Sequence, residues 1–166
     1  MNKEQKRTYN LGYINGWLAN MARINDKTNY GYDFGLHFID KENRTLNEIL
    51  DKMFENICES YELKEIEAPK ELVTKTLIEN WVYEFQSNSQ TTHSLKDENN
   101  NFSLSDSEWK TEWVEELVSL LFATTEPLKC YELSVKNTKG FYCCDGVDYI
   151  FENESNVYRL HLSVSD

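Results

Sequence analysis

Apolar residues recur every three or four positions through most of the chain and every second position near its end, so the pattern predicts helices followed by strands. Between residues 5 and 24, Leu11, Ile14, Leu18 and Met21 keep the helical interval, with Trp17 beside them. Gly12 and Gly16 lie one turn apart in that helix. They weaken it, and they predict the close approach of another backbone inside the domain. The stretch NYGYDFGLHFID that follows is aromatic and interrupted by glycines, and reads as an irregular segment or a short strand. Thr45 and Glu48 form a capping-box pattern, and Leu46, Ile49, Leu50, Met53 and Ile57 give a second helix one apolar face. Pro69 suits the first position of a third helix, which turns Val73, Leu77, Trp81 and Phe85 inward. Ser105 with Glu108 opens a fourth, presenting Trp109, Trp113, Leu117, Leu120 and Leu121.

The period then falls to two. In KCYELSVKN, Tyr131, Leu133 and Val135 alternate with Cys130, Glu132 and Ser134. Val147, Tyr149 and Phe151 supply another run, and Tyr158, Leu160, Leu162 and Val164 alternate with Arg159, His161 and Ser163. Turn signals at NTKG and ENESN join these runs into a three-stranded antiparallel meander with one apolar face. The expected architecture is a single α+β domain over residues 1–166: four helices, then the C-terminal meander packed on them. Residues 87–104, between the third and fourth helices, are polar and poor in aliphatic side chains. They predict a mobile loop.

Composition supports a folded chain, since 166 residues with ten Tyr, eight Phe and four Trp can bury a sizeable core. No stretch is apolar enough to span a membrane, and the basic N-terminus is not followed by an uninterrupted apolar segment. A soluble cytoplasmic protein is expected. Cys58, Cys130, Cys143 and Cys144 lack the usual zinc spacing, and reduced thiols suit such a protein better than a disulfide framework. Within FYCCDGVDYIF the adjacent Cys143 and Cys144 would point to opposite faces of a strand, so this run reads as a strand.

Charge changes the picture more. Residues 1–44 carry seven basic and five acidic groups, whereas residues 45–128 carry six basic and eighteen acidic ones. The middle of the chain therefore holds the acidic excess behind the net charge of −12. Such a chain repels phosphates, which disfavours direct nucleic-acid binding and favours a basic protein partner. Glu48, Asp51, Glu55, Glu59 and Glu62 fall at steps of three and four, as one stripe opposite the apolar face of the second helix. Glu108, Glu112, Glu115 and Glu116 do the same on the fourth, and Lys52 and Lys110 are nearly alone among these stripes. Like charges one turn apart repel, so a partner that neutralises them is expected to dock there. The competing surface is the polar side of the meander, with Asp145, Asp148, Glu152 and Glu154.

Candidates for catalysis are sparse. Asp33, His37 and Asp40 are close in sequence, and His161 shares the polar side of the meander with Asp148. A small hydrolase would need one of these histidines joined to a carboxylate and a nucleophile in one pocket. There is no phosphate-cradling glycine loop, nucleophile elbow or paired-histidine metal motif. No cofactor and no metal are expected.

A small, acidic, aromatic-rich α+β chain ending in the strand YRLHLSVSD resembles the bacterial immunity proteins of polymorphic and contact-dependent toxin systems. The likeness lies in character across the whole chain and is most suggestive from about residue 129 to 166. It implies binding to one cognate toxin domain, often a nuclease, with its active site or substrate groove blocked. The alternative is a phage or mobile-element protein whose acidic surface imitates nucleic acid and disables a host nuclease.

Overall fold

Strands and helices interleave along the chain instead of separating into two halves. The computed structural model describes residues 1–25, 31–82 and 108–165. Helix α1 (Lys3–Asn25) leads into strand β1 (Gly31–Asp40), helix α2 (Leu46–Phe54) and strand β2 (Cys58–Glu65). Helix α3 (Pro69–Thr76) continues as a π-helical turn over Leu77–Trp81, and α4 (Glu108–Thr125) precedes β3 (Lys129–Thr138), β4 (Asp145–Glu152) and β5 (Asn156–Ser165). The five strands form one antiparallel sheet in the order β1-β5-β4-β3-β2.

The meander β3-β4-β5 is therefore the centre of a wider sheet. NYGYDFGLHFID supplies β1, which pairs with β5 along its whole length. The second helix ends at Phe54, eight residues short of Glu62, where the acidic stripe carried it, because Cys58–Glu65 pairs with β3 as a strand. FYCCDGVDYIF is a strand only from Asp145; Phe141 to Cys144 belong to the connection between β3 and β4.

Both sheet faces are covered. On one, Phe34, Leu36, Tyr149, Phe151, Leu160 and Leu162 pack against Ile14, Leu18, Val73, Leu117 and Leu121 from α1, α3 and α4. On the other, Ile49, Leu50 and Phe54 of α2 close over Leu133, Ile150 and Val157. β5 and β4 are consequently buried on both sides, which is why Ile150 is fully enclosed although it is out of phase with Tyr149 and Phe151. No helix among the described residues is long and apolar enough to cross a membrane.

Local chemistry explains where several elements begin and end. The Thr45 backbone N–H donates to Glu48 Oε2 (2.7 Å), and the Glu48 N–H donates to Thr45 Oγ1 (3.3 Å), so both orphan donors are satisfied. Thr45→Ala should lower stability by about 1 kcal/mol in urea denaturation, with the denaturant slope unchanged. Pro69 does open α3, where its missing N–H removes nothing. At the sheet edge, Asn15 of α1 replaces a neighbouring strand for Leu36: its Nδ2 donates to the carbonyl (2.9 Å) and its Oδ1 accepts from the N–H (2.7 Å). The opposite edge, β2, carries Glu59, Glu62, Lys64 and Glu65, charges that oppose pairing with another chain.

Two helix expectations change. Gly12 and Gly16 are exposed, and a Cβ at either would meet nothing within 4 Å, so no backbone packs against them. Trp109 is 55% exposed, while Leu117 and Leu121 are buried and Trp113 and Leu120 half-buried. Phe85, the Ser105 cap and the predicted loop at 87–104 lie outside the described residues.

Candidate functional site

The two acidic groups occupy opposite sides of the sheet, since α2 covers one face and α4 the other. One partner surface cannot include both. The first group is also divided within itself. Glu48 lies in the capping box, Asp51 accepts from the Tyr61 hydroxyl (2.8 Å), and Glu55 is the residue after the last turn of α2. Glu59 and Glu62 belong to β2 and, three apart, point to opposite faces of it. Only Asp51 and Glu59 converge, in a shallow groove of about 470 Å³ that Tyr61 and Leu63 also line. The fold brings cations here that are remote in sequence: Lys136 pairs with Glu62 (3.4 Å), and Lys139 Nζ donates to the Glu55 carbonyl (2.7 Å).

The second group keeps its expected geometry. Glu108, Glu112, Glu115 and Glu116 are all exposed on one face of α4, and among the described residues none forms an ion pair. At 1.5 Å per residue the row extends for about 12 Å. Lys110 does not sit among them: it is on the buried side, 6% exposed. Glu115 also lines a groove of about 570 Å³ between α3 and α4, with Glu71 and Glu79 around an apolar base at Ile78. Lys75 and Glu79 pair loosely there, at 3.9 Å across a helical turn. The exposed Trp109 ring lies at the start of the same helix, 6.3 Å from the Trp113 ring.

The meander surface does not hold together as an acidic patch. Asp148 is 3% exposed, and Glu152 is half-buried against Lys41, whose Nζ lies 2.6 Å away. Asp145 and Glu154 remain exposed, but a whole strand length of more than about 24 Å separates them.

Asp148 instead anchors a polar network between β4, β5 and the β3–β4 connection. Arg159 Nε donates to its Oδ1 (2.7 Å), His161 Nδ1 lies 2.8 Å from the same oxygen, and the Tyr142 hydroxyl donates to Oδ2 (2.6 Å). The Arg159 guanidinium also donates to the Tyr142 hydroxyl and stands 5.0 Å over the Phe54 ring of α2. Burial alone would raise the Asp148 pKa; the hydrogen bonds from His161 and Arg159 outweigh it and hold the carboxyl below its ordinary value. Burial and then the Asp148 charge push the Tyr142 hydroxyl well up, so it stays protonated as a donor. His161 Nδ1 also lies 3.0 Å from an Arg159 guanidinium nitrogen, which can only donate, so Asp148 and Arg159 make opposite demands on that ring nitrogen. No described hydroxyl or thiol hydrogen-bonds to Nε2.

His37 lies across the β1–β5 pairing, opposite Arg159, and desolvation followed by the Arg159 charge lowers its pKa. The connection folds back because Gly146 has no side chain. A Cβ there would come 2.9 Å from Cys143 Sγ and 3.2 Å from the Leu162 carbonyl oxygen. All four thiols are free, and among the described residues no three His, Cys, Asp or Glu side chains gather as a metal site. The network acts as a clamp joining α2, β4, β5 and the β3–β4 connection.

The Asp148–His161 neighbourhood was readable from their shared side of the meander. Arg159 and Tyr142 were not, although Ile150 between Asp148 and Glu152 signals that this side is covered. No family model, curated protein or solved structure matches the chain, so its function is argued from this geometry alone.

Proposed function

We propose that the chain is a stoichiometric inhibitor, an immunity protein that holds a basic toxin domain, most readily a nuclease, against the outer face of α4. The observation that carries this reading is the row of four exposed glutamates on α4, none of which forms an ion pair among the described residues. Each like-charge pair one turn apart weakens an isolated helix by a few tenths of a kcal/mol, and a basic partner would reverse that sign. A nuclease must bind phosphates, so its substrate groove is basic and complements such a row. The α3–α4 groove adds specificity: a lysine or arginine could lay its aliphatic stem on Ile78 and its head among Glu71, Glu79 and Glu115. Exposed Trp109 supplies an aromatic anchor at the start of the same helix. The α2 stripe has no such role in this account, because the fold divides it between α2 and the two faces of β2 and sets Lys136 against Glu62.

Growth rescue tests the reading. Cells producing the toxin domain encoded beside this chain should survive only when the chain is co-produced. Glu112→Lys with Glu116→Lys should abolish rescue at unchanged protein levels, and Glu48→Lys with Asp51→Lys should not. Rescue that survives the α4 reversal would move docking elsewhere. A neighbouring phage structural gene, with inhibition of a host nuclease, would assign the same acidic face to counter-defence.

A further inference from the structure

Opposite in character to the acidic helices is a cavity of about 380 Å³ where the first two turns of α1 meet the end of α4 and the β4–β5 turn. Lys3, Lys6 and Arg7 share one helical face along its wall. Their charges are not equally spent. Lys3 reaches Glu126 at 3.3 Å, a fully solvated pair, whereas among the described residues neither Lys6 nor Arg7 has a carboxylate partner. Arg7 is half-buried, with its guanidinium 4.2 Å over the Phe38 ring and a long contact of 3.5 Å to Asn156 Oδ1. The guanidinium, held by an aromatic face, an amide and the Tyr158 hydroxyl, has its position fixed but no carboxylate on it among the described residues.

The facing wall offers donors. Asn153 is used internally: its Nδ2 donates to the Thr125 carbonyl, and its Oδ1 accepts from the N–H groups of Ser155 and Asn156. Those bonds shape the turn and leave the Asn156 amide nitrogen and the Ser155 hydroxyl as donors with no described acceptor. Leu128, 70% exposed, and Tyr158 add apolar surface.

We propose that this cavity binds a small phosphorylated ligand, its phosphoryl group between Lys6 and Arg7 and its body along Leu128. A planar guanidinium and an ammonium on one side, with an amide and a hydroxyl on the other, suit a tetrahedral oxyanion. The volume falls within the range of small-molecule sites, so the ligand carries a compact apolar or planar body as well as the phosphoryl group. Glu126 and Glu154, both exposed in the lining, are the competing anions.

Calorimetric titration of the full chain with phenyl phosphate, inorganic phosphate and phenol tests the proposal. Phenyl phosphate should bind saturably, inorganic phosphate more weakly, and phenol not at all. Arg7→Gln should weaken phenyl phosphate by about tenfold and Lys6→Gln by a smaller factor, in line with the loss of one charge-assisted contact. Glu126→Gln should tighten it, because Lys3 is then released toward the cavity. Since Arg7 also packs on Phe38, its variant is first checked for an unchanged unfolding midpoint; Lys6 and Glu126 are exposed and decide the matter if it is not. Absence of saturable phenyl phosphate binding by about 10 mM, a free energy near that of a non-specific contact, overturns the proposal. So does binding that Lys6→Gln and Glu126→Gln leave unchanged.

Discussion

Asp148→Asn should lower the free energy of unfolding by about 3–5 kcal/mol, the usual effect of leaving a buried charge without its partner. The loss arises at Arg159, which keeps its positive charge with only a tenth of its side chain exposed, 11%, while its counter-ion is gone. The sign can be separated from simple misfit. Asp148→Leu combined with Arg159→Met removes both charges and should recover a large part of the stability, because two desolvated ions are replaced by apolar packing beside Met53 and Phe54. The pH dependence follows from the same network. A carboxyl whose folded pKa lies below its unfolded value stabilises the protein above the unfolded value, and this contribution disappears as pH falls through the folded one. Urea midpoints of wild type and Asp148→Asn should therefore differ most at neutral pH and converge below about pH 4. A constant difference down to strong acid would mean that the carboxylate charge is not what holds Arg159.

Legibility in the sequence followed how local each interaction is. The capping box at Thr45 and Glu48, the opening of α3 at Pro69 and the inward row Val73, Leu77 and Trp81 depend on neighbours three or four residues away. So does the alternation in the last three strands. β2 was lost because its acidic residues continue the three- and four-residue steps of α2, while an edge strand polar on both sides shows little period of two. The acidic stripes failed differently: counting nearby lysines along the chain could not reveal that Lys136 and Lys139 fold against α2 and β2. The α4 row passed that same test in three dimensions, since among the described residues no cation pairs with its four glutamates. Tyr142 and Arg159 depended on a connection whose course is set by the missing side chain at Gly146, and period alone carries no such information.

The largest kinetic effect should come from α4. Glu112→Lys with Glu116→Lys changes the local charge by four units on a face that the core does not use, since both side chains are exposed. Fold and stability should be nearly unaffected, because the new lysine pair repels as the glutamate pair did, while the lysine at 112 faces Glu108 and Glu115 one turn away. Association with a basic partner depends on the long-range field and should slow by about tenfold or more. Raising the ionic strength from about 0.1 M to about 1 M, which shortens the Debye length from about 10 Å to about 3 Å, should slow the wild type toward the variant. The direct measurement is the stopped-flow association rate with the cognate toxin domain for wild type, the α4 reversal and a matched α2 reversal, Glu48→Lys with Asp51→Lys. The account predicts a steep loss of rate and of salt dependence in the α4 variant, with the α2 variant close to wild type; an α4 variant that associates at the wild-type rate with its salt dependence intact would contradict it.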